Sequence, residues 1–243
     1  MNNLPDAVIS YLQYESLVGA TQKKFTSLAS RSTINNLLIL QNLFLNLNPS
    51  YTLEIGMAHG FSSLLFTDLH YHRNSLNLPD LSRQQHCVID PFQEQVWDST
   101  GLMIIEKFGY QELLEFYQDF SSLVLPRLVA DNKKYGLIYV DGSHLFEDVF
   151  IDFYYCFHLL DQDGVVVFDD CSDPHILKVI KFIRRNFGDQ LEEINLLPFR
   201  DNSSSLLSYA KYKLGTFLGK TQACAFKKVK PSSRPWDAKL YHF

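Results

Sequence analysis

LEIGMAHGFSS, running from Leu53 to Ser63, decides the fold. It opens on the last residues of a short β-rich run, Thr52 to Ile55, and passes through Gly56-Met-Ala-His-Gly60 into a segment of helical spacing that begins near His59. A strand that turns on glycines into a helix is the first half of a βαβ unit. Working outward, similar β-rich runs recur at His86 to Ile89, Leu113 to Tyr117, Leu137 to Val140 and Val165 to Phe168, each separated from the next by helical-period sequence. That alternation predicts a parallel sheet covered by helices on both faces. A sixth strand is expected over Glu193 to Leu197 and a seventh over Ala223 to Val229.

The helices are read from their periodicity. Phe146, Val149, Phe150, Phe153, Phe157 and Leu160 form one apolar stripe, with Asp148 and Asp152 expected on the opposite, wet face, and Asp161-Gln162-Asp163-Gly164 as the turn that follows. Asp173 followed by Pro174 predicts the N-terminus of another helix, with Val179, Ile180, Ile183 and Phe187 inward and Lys178, Lys181, Arg184 and Arg185 outward. The predicted architecture is a Rossmann-like, doubly wound α/β domain with a mostly parallel seven-stranded sheet and an antiparallel last strand. Residues 1–48 are expected as an N-terminal helical cap, 49–230 as the main domain with 198–220 as a lid insertion, and 231–243 as a C-terminal tail.

Composition narrows the function classes. With 243 residues, 46% hydrophobic and 20% charged, the chain has the balance of a globular domain and not of a disordered one. No apolar run reaches the length of a membrane span, and the start carries no export-signal pattern, so a cytoplasmic protein without membrane partners is expected. The net charge of −5 argues against a nucleic-acid partner, although residues 211–240 are basic. Cys87, Cys156, Cys171 and Cys224 are scattered without a C-x-x-C pair and are expected as buried free thiols. The His70-x-His72 pair reads as a surface feature.

In open parallel sheets ligands bind beyond the carboxyl ends of the strands. The residues there are Gly56 to Gly60, then Asp90-Pro91-Phe92, Gln118-Asp119-Phe120-Ser121-Ser122, Asp141-Gly142-Ser143-His144 and Asp169-Asp170. A dinucleotide fingerprint would need glycine at 56, 58 and 61, and Ala58 and Phe61 fail it. Gly56 and Gly60 still allow a tight turn and close approach to a ligand, and a carboxylate at Asp90 can accept the two hydroxyls of a ribose. Together they point to a nucleoside ligand.

LEIGMAHGFSS, VIDPFQ (Val88 to Gln93) with Trp97, Gly101 and Leu102, YVDGSHLFEDVFIDF (Tyr139 to Phe153) and LLDQDGVVVFDDC (Leu159 to Cys171) resemble, in order and spacing, the class I S-adenosylmethionine-dependent methyltransferases. The likeness runs from Tyr51 to Asn186 and is closest to the small O-methyltransferase-like group with an aspartate-rich metal site. It implies that Glu54, Gly56, Ala58, Gly60 and Ser62 hold the methionine end of the cofactor, that Asp90 holds the ribose, that Pro91 and Phe92 lie at the adenine, and that Asp119 or Ser121 meets the adenine edge. It also implies a Mg²⁺ site at Asp141, Asp169 and Asp170, with Asp141 bordering the cofactor as well. Sugar O-methyltransferases of this kind carry an acid two residues after the first metal ligand, where this chain has Ser143. His144 is then the expected general base, acting beside Asp141. The implied activity is O-methylation of a small hydroxylated molecule, and the chain could self-associate as a homodimer. Two alternatives stay open: a non-catalytic protein that senses the cofactor, and a metal-dependent hydrolase or hydroxylase built on the same aspartates.

Overall fold

A computed structural model describes residues 4–28, 30–77, 84–200, 215, 221–231 and 235–243. In chain order the elements are α1 (Asp6–Leu12), β1 (Leu17–Val18), β2 (Lys24–Phe25), α2 (Ile34–Leu47), β3 (Thr52–Ile55), α3 (Phe61–Asn77), β4 (His86–Ile89), α4 (Thr100–Lys107), β5 (Leu114–Tyr117), α5 (Ser121–Ala130), β6 (Tyr135–Val140), α6 (Phe146–Leu159), β7 (Leu160–Phe168), α7 (Pro174–Asn186), β8 (Leu191–Ile194) and β9 (Cys224–Lys228).

The seven-stranded sheet has the order β5-β4-β3-β6-β7-β9-β8. Strands β3 to β7 are parallel, whereas β9 runs antiparallel to both β7 and β8. The chain winds outward from β3 to β5, then returns to the centre with β6. The switch point, where a parallel sheet opens a crevice for ligands, therefore lies between β3 and β6. Strand alternation decides which residues face which layer. Val88, Leu137, Tyr139, Val165 and Val167 share one core with α1 to α4. Leu53, Ile55, Ile89, Ile138, Val140, Val166 and Phe168 share the other with α5 to α7.

The segment ahead of β3 is not wholly helical, because β1 and β2 pair as a small antiparallel ribbon between α1 and α2. Thr33 caps α2 by accepting a hydrogen bond from Asn36 N at 3.2 Å, and Asn48 closes the helix in the left-handed region, with φ 45°. Leu37, Leu40, Leu43 and Phe44 are buried against the sheet face, each contributing about 1.5–3 kcal/mol by removal from water. Helix α2 thus packs on the sheet, and its N-terminal turn reaches the strand ends. The C-terminal tail is pinned to α7, where Asn186 Nδ2 donates to Tyr241 O and Tyr241 N to Asn186 Oδ1.

Several local expectations are corrected. The sixth strand lies two residues earlier than read, at Leu191–Ile194, and Leu197 belongs instead to a short 3₁₀ turn. The 161–164 turn is absorbed into an irregular start of β7, where the register with β6 shifts between Tyr135 and Leu137. Asp152 is buried, because α5 and α7 flank α6 and cover the shoulders of its apolar stripe as well as its centre. His70 is buried too and only His72 is exposed. All four cysteines are buried free thiols. Of the 198–220 insertion, residues 201–214 and 216–220 lie outside those described. Among the described residues no helix is long and apolar enough to cross a membrane.

Candidate active site

The β3 turn is built close against the neighbouring strand end. Gly56 has φ +91°, and a Cβ there would sit 2.2 Å from the carbonyl oxygen of Asp141. Only glycine fits that contact. Ala58 also adopts a left-handed conformation, φ 47°, so the turn survives alanine at its centre at some strain. Asp90, at the end of β4, binds this turn directly. Its Oδ2 accepts from Met57 N at 3.0 Å, Ala58 N at 2.9 Å and Gln93 Nε2 at 3.1 Å, while Oδ1 accepts from Phe92 N at 2.7 Å. Oδ1, with one donor, is the atom free to take a ligand hydroxyl.

Beyond these strand ends lies a cavity of about 420 Å³ lined by Gly56, Ala58, Asp90, Pro91, Phe92, Trp97, Phe120, Ser121, Ser122, Asp141 and Leu145 among others. Phe92 and Phe120 stand edge to face at its mouth, 5.9 Å between centroids, both with exposed ring surface. Of the two residues expected at the adenine edge, Ser121 lines the cavity, whereas Asp119 turns to Phe120 N and Arg127.

Glu54 is the clearest departure from expectation. Its side chain has no exposed surface and accepts from the hydroxyls of Ser62 and Ser63 and from His86 Nε2 at 3.0 Å. It supports the turn from beneath and does not reach the cavity. A carboxylate only accepts, so His86 Nε2 is the donor to Glu54, and its Nδ1 lies 2.9 Å from Thr52 Oγ1. Thr52 Oγ1 also lies 2.9 Å from His70 Nε2. Burial holds His70 well below the ordinary histidine range. Ser62 is committed to Glu54 in the same way.

A second cavity, of about 370 Å³, meets the first at Gly56, Ala58, Trp97, Asp141 and Gly142. Its other walls are Ser30 to Thr33, Asn36, Met57, Phe61, Ser62, His144, Asp169, Asp170 and Gln222. His144 is half-exposed, with Nε2 3.1 Å from Asp170 Oδ2 and Nδ1 3.7 Å from Asp173 Oδ2. Asp173 meanwhile caps α7, accepting from His175 N at 2.8 Å, as its position before Pro174 predicts. Ser143 lines the first cavity together with Asp148, to whose Oδ2 its hydroxyl donates at 2.7 Å.

The three aspartates do come together, but with protein donors between them. Tyr139 OH lies 3.0 Å from Asp141 Oδ2 and 2.6 Å from Asp169 Oδ2. Asn36 Nδ2 donates to Asp169 Oδ2 at 2.6 Å, and Gln222 Nε2 donates to Asp169 Oδ1 at 2.9 Å and also to Asp170 Oδ1. Burial pushes both Asp141 and Asp169 above the ordinary carboxylate range, and the charge of Asp169 adds to the rise at Asp141. Among the described residues no three His, Cys, Asp or Glu side chains are arranged to hold a metal ion. The expected Mg²⁺ site is therefore not formed: both oxygens of Asp169 are taken by Tyr139, Asn36 and Gln222, whereas Mg²⁺ needs those lone pairs. Sequence reading missed these three residues. Tyr139 stood in plain view two residues before Asp141, but Asn36 and Gln222 lie more than 100 and 50 residues from Asp169, with no local signal to connect them.

Residues 53–171 match the family described as a methyltransferase domain. None of the curated proteins matches the chain. Among solved structures, an O-methyltransferase from Bacillus cereus in complex with SAH aligns with a TM-score of 0.62 at 12% identity, covering 95% of this chain and 93% of that one. The O-methyltransferase TomG from Streptomyces achromogenes, in complex with SAM, aligns at 0.57 and 16%, over 83% and 82%. CalS11, a TDP-rhamnose 3'-O-methyltransferase, aligns at 0.55 and 15%, over 79% and 78%. The strand order and the switch-point cavity are those of the class I methyltransferase fold, and residues 53–171 form its methyltransferase domain. A methyltransferase domain makes it an enzyme of methyl transfer.

Proposed function

We propose that this protein methylates a hydroxyl group of a small molecule, with S-adenosylmethionine in the 420 Å³ cavity and the acceptor in the 370 Å³ cavity. The observation that carries the reading is the junction of the two spaces at Gly56, Asp141 and Gly142, with His144 on the acceptor side only. The sulfonium of the donor supplies an already reactive methyl group, so the protein has to align the acceptor oxygen and exclude water. Asp90 Oδ1 is placed to accept a ribose hydroxyl, and the exposed faces of Phe92 and Phe120 offer an apolar seat for the adenine. Trp97 borders both cavities.

For deprotonation, His144 lines the acceptor cavity with Nε2 3.1 Å from Asp170 Oδ2, and it is the imidazole within reach of an acceptor proton there. The likeness to O-methyltransferases in fold, and the polar lining of Ser30, Ser32, Thr33, Asn36 and Gln222, support a hydroxylated acceptor. No step passes through a metal, since the aspartates do not fit one, and the hydrolase reading loses its basis with it.

Calorimetry with S-adenosylhomocysteine, followed by transfer of an isotopically labelled methyl group to a pool of hydroxylated small molecules with mass-spectrometric detection, tests the proposal. Binding and labelled methyl ethers are expected. Failure to bind, or labelling confined to nitrogen or sulfur acceptors, would overturn it.

A further inference from the structure

Three carboxylates beyond the ends of β6 and β7 form a concentration of like charge that needs neutralising. How this chain does so can be read atom by atom. Asp169 is only 5% exposed, and its two oxygens receive four donors: Tyr139 OH and Asn36 Nδ2 on Oδ2, Gln222 Nε2 and Asp170 N on Oδ1. A carboxylate offers about four lone-pair positions, so none is left over. Gln222 also reaches Asp170, whose other oxygen is paired with His144.

The two amides come from outside the βαβ frame. Asn36 lies in the first turn of α2, directly after residues 30–33 of the acceptor-cavity wall, and is held there by its own bond to Thr33. Gln222 lies just before β9, and its carbonyl accepts from Cys171 N at 2.8 Å. Each therefore ties a separate piece of the cavity wall to the end of β7.

We propose that Asp169 is a closed anion site in which Asn36 and Gln222 stand where a divalent cation would, and that this clasp holds the acceptor-cavity wall in place. A cation could enter only by expelling the amides, and their loss would release the wall. The inference does not depend on which acceptor is methylated.

The test uses metal ions alone. Millimolar Mg²⁺ or Mn²⁺ should leave the melting temperature of the full chain unchanged, and Tb³⁺ should show no luminescence sensitised through Tyr139. Asn36→Asp exchanges a donor for a carboxylate of nearly the same shape. It should gain the Tb³⁺ signal and a rise of at least roughly 2 °C with Mn²⁺. Gln222→Glu serves the same purpose if the first variant fails to fold. In Asn36→Ala and Gln222→Ala, amide exchange at residues 30–36 and 221–224 should accelerate while S-adenosylhomocysteine still binds. A metal response in the wild type that disappears in Asp169→Asn, or unchanged exchange in both alanine variants, would overturn the proposal. Loss of S-adenosylhomocysteine binding by the wild type would instead count against the methyltransferase reading.

Discussion

The two cavities share a wall but are built differently. The cofactor-side cavity is lined by loops that directly follow β3, β4, β5 and β6, so each strand delivers its own piece within a few residues of its end. The acceptor-side cavity draws on the segment before α2, the ends of β6 and β7 and the approach to β9, pieces separated by up to nearly 200 residues. One is a product of turns, each decided locally. The other is a product of packing, and its polar groups find partners only once α2 lies on the sheet.

This division predicts where damage should fall. The largest effect is expected from His144→Ala, which touches the acceptor side alone: methyl transfer should drop by about 10² to 10⁴, the usual value of a positioned base, while calorimetry with S-adenosylhomocysteine stays unchanged. Equal losses in transfer and cofactor affinity would mean that the two cavities are not separable. On the cofactor side, Asp90→Ala removes a carboxylate that holds Met57 N, Ala58 N and Phe92 N as well as any ribose hydroxyl. Binding of S-adenosylhomocysteine should weaken at least roughly tenfold, the equivalent of one charge-assisted hydrogen bond. An unaffected dissociation constant in a folded variant would take the nucleoside away from Asp90.

Gly56→Ala probes the shared wall. The new methyl would collide with Asp141 O and must adopt φ +91°, a conformation that costs about 1–3 kcal/mol even without the clash. A lower melting temperature and weaker cofactor binding should appear together. A pH-dependent effect lies outside both cavities. Asp152 is buried on α6, and burial pushes its carboxyl up to about 7. Because this value exceeds that of the unfolded chain, the folded state binds the proton more tightly. Its contribution to stability is greatest below about pH 4 and is lost as pH rises to about 7. Asp152→Asn should therefore be more stable than wild type at pH 8, by up to about 4 kcal/mol, and converge with it near pH 4 in denaturant titrations. A difference independent of pH would show that the carboxyl is not the source.

The same division explains what could be read in advance. The five parallel strands, the glycine turn, the Asp90 and Asp141 strand ends and the Asp173 cap are each announced within a few residues, because turn conformation, capping and strand burial are local or periodic requirements. Ser121 rather than Asp119 at the cavity required knowing how α5 begins. The resemblance makes Glu54 a ligand-facing acid, yet whether a carboxylate at a strand end faces a cavity or the interior depends on what waits beneath it, here His86, Ser62 and Ser63. Asp152 misled for a similar reason, since helical periodicity marks the centre of a buried stripe but not how far the neighbouring helices cover its shoulders.

The sequence by itself determined the parallel sheet, the switch point and the positions at which carboxylates stand beyond the strands. Tertiary structure alone decided what those carboxylates are for. A carboxylate is a site for whatever donor or cation reaches it first, and only the packing of α2 and the approach to β9 brings Asn36 and Gln222 to Asp169. The type of residue at a strand end is a one-dimensional fact, whereas the identity of its partner is settled by which distant side chains share its volume.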